Sequence, residues 1–503
     1  MPKAKRTPKL VVVADDVQAR AVAEEQVTDV VGGATVHDAV DAMTGTTVPD
    51  GGDVLANDEF GIVEVAVTDR EAKALESKPG VLSVEEDATV YALGSVEPGA
   101  DDTTARHLID HWFDDWDPEF QVAQEATARE QALLAAQLDP PPIDELEGPE
   151  PGALPLDTLP LGTMALDTVA GVADAELLAL VRHVLDFAAR RSGAGGSAEE
   201  LTDAAIAELL AARGAGGAGG TAAAARDAVT CGLRLIRAPR AWPVATGRGV
   251  KVAVLDTGIA PQHPDLRVQG GASFVPGVQS WHDDHYHGTH VAGTIAAASN
   301  GLGVVGVAPD ALLYAVKVLD ANGRAHTSWV LNGLAWCRRN GMDVANLSLG
   351  SREDTHDPGT YSRAYERAAK SLRDDGILAV AAAGNDASFV GNPARCPSFM
   401  AVSSIDCRRR RSSFSNFGPQ VEVCAPGSAV RSTYPPTQYR TLSGTSMATP
   451  HVAGVAALVK QRHPAMGGDA IRVHLWRTAL DLGSPGRDWH FGFGQVDARR
   501  AVR

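Results

Sequence analysis

Residues 227–503 read as an α/β domain with a mostly parallel sheet; residues 9–93 read as a small α+β domain, and an acidic, partly helical insert at 94–226 separates the two. Three observations lead there. After about Thr230, near-continuously apolar runs alternate with helical stretches, the pattern of strands covered on both faces. Residues 9–93 hold shorter strand-like runs around one helical stretch. Between them the composition turns acidic, then rich in proline and glycine.

The elements follow in order. LVVVA (10–14), GIVEVAV (61–67) and VLSVEED (81–87) are strand-like in a βαβ-type pattern, and TDREAKALES (68–77) is helical. Thr68 with Glu71 three residues on forms a capping box, which fixes the helix start. From Ser95 to Glu150 there are 15 Asp and Glu against Arg106 and Arg129 alone. Prolines then cluster at Asp139-Pro-Pro-Pro and Gly148-Pro-Glu-Pro. AELLALVRHVLDFAARR (175–191) and AEELTDAAIAELLAAR (198–213) predict two amphipathic helices, set off by flexible Gly-Ala runs from Gly193 and Gly214. Beyond them, VKVAVLD, LLYAVKVL, DVANLSL, ILAVAAAG, FMAVSSI and VEVCAPG are strands. They alternate with helical stretches that begin at His287, Thr327, Tyr361 and Ser446. In open α/β sheets chemistry sits at the carboxyl ends of the strands.

Composition narrows the function. A chain of 503 residues with 44% apolar and 21% charged residues has the make-up of a two- or three-domain globular protein. Its net charge of −18 argues against nucleic acid, which wants a clustered basic surface. The one basic cluster, Arg408–Arg411, reads as a solvated loop. Five scattered cysteines with no CxxC pair signal neither a zinc site nor a disulfide framework, and free thiols are expected, a Cys396–Cys407 bridge being the alternative. No stretch has the length of a membrane span. The N-terminal MPKAKRTPKLVVVADD lacks the long apolar core of a secretory signal, so a cytoplasmic location is expected, or secretion if the start codon is misassigned.

Three strings carry chemistry: AVLDTGI around Asp256, HGTHVAGT from His287, and SGTSMATPHVAG around Ser446. Asp256 ends an apolar strand. His287 and Ser446 each open a helix. A serine hydroxyl is a weak nucleophile until an imidazole takes its proton, and that imidazole needs a carboxylate to fix its tautomer. Asp256-Thr-Gly could be half of an aspartic-protease pair, but no second such string occurs. His287-Gly-Thr-His290 lacks the glutamate of a zinc-protease helix, so His290 reads as structural and His282 and His285 as loop residues. Ser443 is the rival nucleophile.

The strings, in the order Asp, His, Ser and 31 and then 159 residues apart, resemble those of the subtilases. The resemblance implies a three-layer subtilisin-like domain and a serine endopeptidase acting through an acyl-enzyme, with Asp256, His287 and Ser446 as the triad. It implies Asn385, in AVAAAGND, as the oxyanion donor. Gly323, Arg324 and Ala325 resemble one edge that pairs with an extended peptide substrate, and Ser348, Leu349 and Gly350 the opposite edge. Ala382, Ala383, Gly384 and Gly391 resemble the walls of the pocket before the scissile bond. Their small size leaves room for a large apolar side chain. A calcium ion is implied too, held by Asp265, Asn300, the Ala298, Leu302 and Val304 carbonyls, and Asp227. Residues 9–93 resemble the inhibitory propeptide of the family, which predicts self-cleavage after Leu93. The insert departs from the family pattern, in which the catalytic domain follows its propeptide at once. It predicts either an acidic extension or a second cut between 214 and 226. Two other readings compete: a protease-fold protein that hydrolyses nothing, against which the competent residues at all four positions argue, and an intracellular processor of one precursor.

Overall fold

The computed structural model describes residues 6–14, 18–31, 34–39, 54–93, 227–351 and 361–503, and these fall in one compact unit. The acidic run, the two amphipathic helices and the 214–226 segment lie outside the described residues.

The N-terminal part opens with β1 (Thr7–Val13), α1 (Ala19–Val22), a π-helical turn (Ala23–Val27) and α2 (Thr28–Val31). There follow β2 (Val36–Asp38), β3 (Val54–Asn57), β4 (Ile62–Val67), α3 (Asp69–Glu76) and β5 (Val81–Glu86). The sheet order is β2-β3-β4-β1-β5. β4 and β5 both run antiparallel to β1, so the β4-α3-β5 unit is split by the strand between them. Thr68 caps α3 as expected: its Oγ1 accepts from the Glu71 amide, and Glu71 Oε2 accepts from the Thr68 amide at 2.8 Å.

Alternation along the strands gives this sheet two apolar faces. Val11, Val13, Val63, Val65 and Val67 pack with Ala19, Val22, Val27 and Leu75 in the part's own core. Leu10, Val12 and Ile62 face the other way, into a cluster shared with residues 253–421. Strand β6 (Thr89–Ala92) leaves the sheet altogether.

The larger part begins with α4 (Cys231–Leu235), then β7 (Lys251–Asp256), β8 (Val268–Ser273), α5 (His287–Ala296), β9 (Leu312–Lys317), β10 (Arg324–His326) and α6 (Thr327–Arg339). β11 (Val344–Leu347), β12 (Leu349–Gly350), α7 (Arg363–Asp374), β13 (Leu378–Ala382), β14 (Met400–Ile405) and β15 (Val421–Pro426) complete the central layers. A hairpin of β16 (Val430–Tyr434) and β17 (Gln438–Leu442) precedes α8 (Thr445–Arg462), α9 (Gly468–Thr478) and α10 (Ala498–Ala501).

Seven strands form a parallel sheet in the order β15-β14-β13-β11-β7-β9-β8. Val252, Val254, Val380 and Val402 point to the face covered by α5 and α8. Ala253, Leu255, Leu347 and Ala381 point to the face covered by α6 and α7. Three layers result, as a doubly buried sheet requires.

Cysteine pairing departs from expectation. Cys231 at the start of α4 is bridged to Cys407 in the turn after β14, while Cys337, Cys396 and Cys424 are free and buried. The partners are 176 residues apart, and no spacing signature announces them. No helix among the described residues is long and apolar enough to cross a membrane.

Candidate active site

Asp256 ends β7, the middle strand in the run β11-β7-β9, and is fully buried. His287 is the first residue of α5, and its Nδ1 lies 2.8 and 2.9 Å from the two carboxylate oxygens of Asp256. A carboxylate only accepts, so Nδ1 carries a proton, and in the neutral tautomer Nε2 is the ring's acceptor. That nitrogen is buried and without a hydrogen-bond partner. Gly288 permits the approach: a Cβ there would lie 2.1 Å from the Gly258 carbonyl oxygen and 3.1 Å from the Asp256 Cβ.

Ser446 sits in the first turn of α8, buried. Its Oγ donates to the Ser348 carbonyl at 2.8 Å, and the Ser348 hydroxyl donates back to the Ser446 carbonyl at 2.9 Å. The hydroxyl is thus turned to Ser348 rather than to His287. Asn385 follows β13. Its Oδ1 accepts from the Thr445 amide at 2.8 Å and the Thr445 hydroxyl at 2.9 Å, which fixes the amide so that Nδ2 points outward. Nδ2 donates to the Leu93 carbonyl at 2.6 Å. Gly384, at φ +119°, has no room for a side chain, since a Cβ would fall 2.2 Å from Asn416 Nδ2.

Strand β6 lies between β10 and β12, antiparallel to both. Tyr91, Val90 and Thr89 face Arg324, Ala325 and His326; Ala92 and Tyr91 face Leu349 and Gly350. Ala92 N–H donates to the Gly323 carbonyl at 2.8 Å, and Leu93 N–H to the Ser348 carbonyl at 3.3 Å. All six edge residues singled out in the sequence therefore flank one strand. Leu93 is buried; a Cβ on Gly350 would lie 2.9 Å from its Cδ1. Ala382, Ala383 and Gly391 are buried nearby, the Gly391 amide donating to the Ala383 carbonyl at 3.2 Å.

Three neighbours have roles that the sequence does not announce. Ser348 reads there only as an edge residue, yet its carbonyl holds the Ser446 hydroxyl. His285 stacks on Tyr286, which stacks on Tyr434, and its ring would lie 3.6 Å from a Cβ on Gly323. Asp283 is partly buried, and burial pushes its carboxyl up although Thr257, Thr289 and the His285 amide donate to it. His290 bonds the Val430 and Arg440 carbonyls at 3.1 Å, and burial pulls its pKa down to about 3, as befits a structural imidazole.

A second group of predicted residues gathers away from these. Asp265 is buried; its Oδ2 accepts from Tyr439 at 2.8 Å and the Val304 amide at 3.1 Å, while Oδ1 is buried with no partner. The Asp227 carboxylate accepts from Ser299 at 3.0 Å and the Gly301 amide at 2.7 Å. Asn300 Oδ1 accepts from the Leu302 amide, and the Ala298 amide donates to the Asp265 carbonyl. No cluster of three or more His, Cys, Asp or Glu that could hold a metal occurs among the described residues. A calcium site needs fewer, because carbonyl and amide oxygens make up the rest.

Residues 247–494 match the subtilase family. The chain is 52% identical over 279 residues to subtilisin BL of Lederbergia lenta, covering 55% of this chain and all of that protein. It is 51% identical over 279 residues to an alkaline protease of Alkalihalobacillus alcalophilus, covering 55% of this chain and 70% of that one. A thermostable alkaline protease of Halalkalibacterium halodurans is 52% identical over 258 residues, 51% of this chain and 68% of that protein.

Proposed function

The chain belongs to the subtilase family and is a serine endopeptidase, and from that premise we propose that it is a zymogen cutting itself between Leu93 and Gly94, with Ser446 as nucleophile. One observation carries the reading: the Leu93 carbonyl, 2.6 Å from Asn385 Nδ2, is the carbonyl at the site's amide donor. The Ser446 Oγ rotates from Ser348 to the bare Nε2 of His287, gives up its proton there and attacks the carbonyl carbon. Asp256 holds the imidazole tautomer and the imidazolium that forms. Asn385 Nδ2 stabilises the charge developing on the former carbonyl oxygen. His287 then hands the proton to the amine of Gly94 as the C–N bond breaks, and water releases the acyl group by the reverse steps. Substrates lie where β6 lies, main chain paired with residues 323–325 and 348–350, and Leu93 stands for an apolar residue in a pocket walled by Ala382, Ala383, Gly384, Gly391 and Gly350. Residues 9–93 are then a propeptide, and after the cut they remain as an inhibitor whose tail fills the cleft. N-terminal sequencing decides it: wild-type protein should yield Gly94 at a new terminus and Ser446→Ala protein should stay whole. An uncut wild-type chain overturns the proposal.

The family also carries calcium into the proposal. The orphaned Asp265 Oδ1, the Asn300 amide oxygen, the Ala298, Leu302 and Val304 carbonyls and the Asp227 carboxylate are the hard oxygen donors such an ion takes. Bound there, calcium would supply a cross-link between the segment at Asp227 and the loop after α5.

A further inference from the structure

Glu64 stands where the strand alternation calls for an apolar side chain. On β4 it shares the outward face with Ile62, between Leu10 of β1 and Leu55 of β3, and that face is covered by α6 of the catalytic domain. Its Oε2 is buried and has no hydrogen-bond partner. Beside it, Asp87 caps α6 from outside the helix: Oδ1 accepts from the Ser328 amide at 2.9 Å and Oδ2 from the Ser328 hydroxyl at 2.8 Å. The Ser328 hydroxyl, which donates to Asp87 at 2.8 Å, also lies beside Glu64, where it favours the charged form against the larger effects of burial and of Asp87.

Farther along α6, Arg338 donates to the Glu59 carbonyl at 3.4 Å and Arg339 pairs with Glu59 and, at 3.6 Å, with Asp38, while the Arg367 guanidinium of α7 lies beside Gly61. His326 Nδ1 bonds the Asp87 carbonyl at 3.3 Å and lies 3.9 Å from its carboxylate. Lys9 is paired with Glu86 on the neighbouring strands. From α7, Glu85 accepts from Ser362 and the Arg363 amide, and the Tyr365 hydroxyl is buried. The charged group that bears on Glu64 is Asp87. Two carboxyls side by side at this contact cannot both ionise cheaply, and burial pushes Asp87 up as well, against the two donations from Ser328 that favour its charged form.

We propose that docking of the N-terminal domain on the catalytic domain traps a proton between Glu64 and Asp87, so that the domain's hold on the active-site cleft loosens as pH rises. Burial, then the charge of Asp87, push the Glu64 carboxyl up to about 8 in the docked state. The undocked sheet leaves that face open, where a glutamate titrates near its ordinary value. The docked form therefore binds one proton more between those limits. Docking is strongest below the free value, weakens through neutral pH, and levels off above the docked one. The propeptide is thus an inhibitor with an alkaline release built into its interface.

This rests on the propeptide reading, and one experiment separates the two. Amide exchange of residues 89–92 is measured in the uncut Ser446→Ala full-length chain from pH 6 to 9, corrected for intrinsic rates. Protection should fall by nearly tenfold between pH 6 and 7 and more gently towards pH 8, roughly fiftyfold in all, and then level off. In the Glu64→Gln version it should stay flat, and at pH 9 exceed that of the parent. In the Asp87→Asn version the fall should finish at lower pH, because the neighbouring charge is gone. No protection at any pH would sink the propeptide reading itself. Protection that is present but level in the parent, equally steep in Glu64→Gln, or unmoved in Asp87→Asn would overturn the proton lock alone.

Discussion

Asn385 has both ends of one amide committed: Oδ1 is tied to Thr445, the residue before the proposed nucleophile, and Nδ2 donates to the Leu93 carbonyl. An amide held in this way would need no reorganisation as an oxyanion formed beside it. Asn385→Ala should lower kcat on a peptide substrate by about 10²–10³-fold with little change in KM, the size of loss that removing such a donor causes in a subtilisin. A matching rise in KM would instead make the residue a binding contact. His287 and Asp256 were legible as residues because a nucleophilic serine demands them. The rotamer of Ser446 was not: it depends on a carbonyl 98 positions away that the fold brings alongside.

At the level of elements, the helices on the side facing the N-terminal sheet begin at acidic residues supplied by that sheet's far end. Asp87 meets the first turn of α6, and Glu85 meets Ser362 and the Arg363 amide at the start of α7. Unpaired amides and the positive end of the helix dipole make such starts good docking points for carboxylates. The capping box on α3 is local by contrast, and its cost is correspondingly simple. Thr68→Ala in the uncut Ser446→Ala chain should cost ~1 kcal/mol in denaturant unfolding of the N-terminal part, with α6 and α7 unaffected. The strands of the large domain were readable since both faces are buried and the runs are apolar throughout. The departure of β6 from its sheet was not, because Thr89–Ala92 has the texture of any short strand and its partners lie beyond residue 320.

For the whole molecule, the bridge between Cys231 and Cys407 ties the start of the large domain to a turn 176 residues later. Closing so long a loop constrains the unfolded chain, so Cys231→Ser in the Ser446→Ala background should cost ~2–4 kcal/mol in chemical denaturation under oxidising conditions. Under full reduction the two proteins should unfold together; persistence of the gap would mean the serine disturbs packing instead. Calcium, if bound as proposed, would act over a similar span, joining Asp227 to the loop near Asp265. Calcium at a hundredfold excess over its Kd should stabilise the same background by about 2.7 kcal/mol relative to chelator, and Asp265→Asn should remove most of that gain.

The amino-acid sequence by itself determined the layered α/β architecture and the family and named the candidate reacting groups, since buried parallel strands and nucleophilic catalysis each call for particular residues at particular spacings. Which atoms meet was decided by the tertiary structure. Only folding brings the Ser446 hydroxyl to the Ser348 carbonyl, Cys231 to Cys407, and Glu64 into the shadow of Asp87, because contacts between distant segments depend on how whole layers pack and leave no periodic trace along the chain.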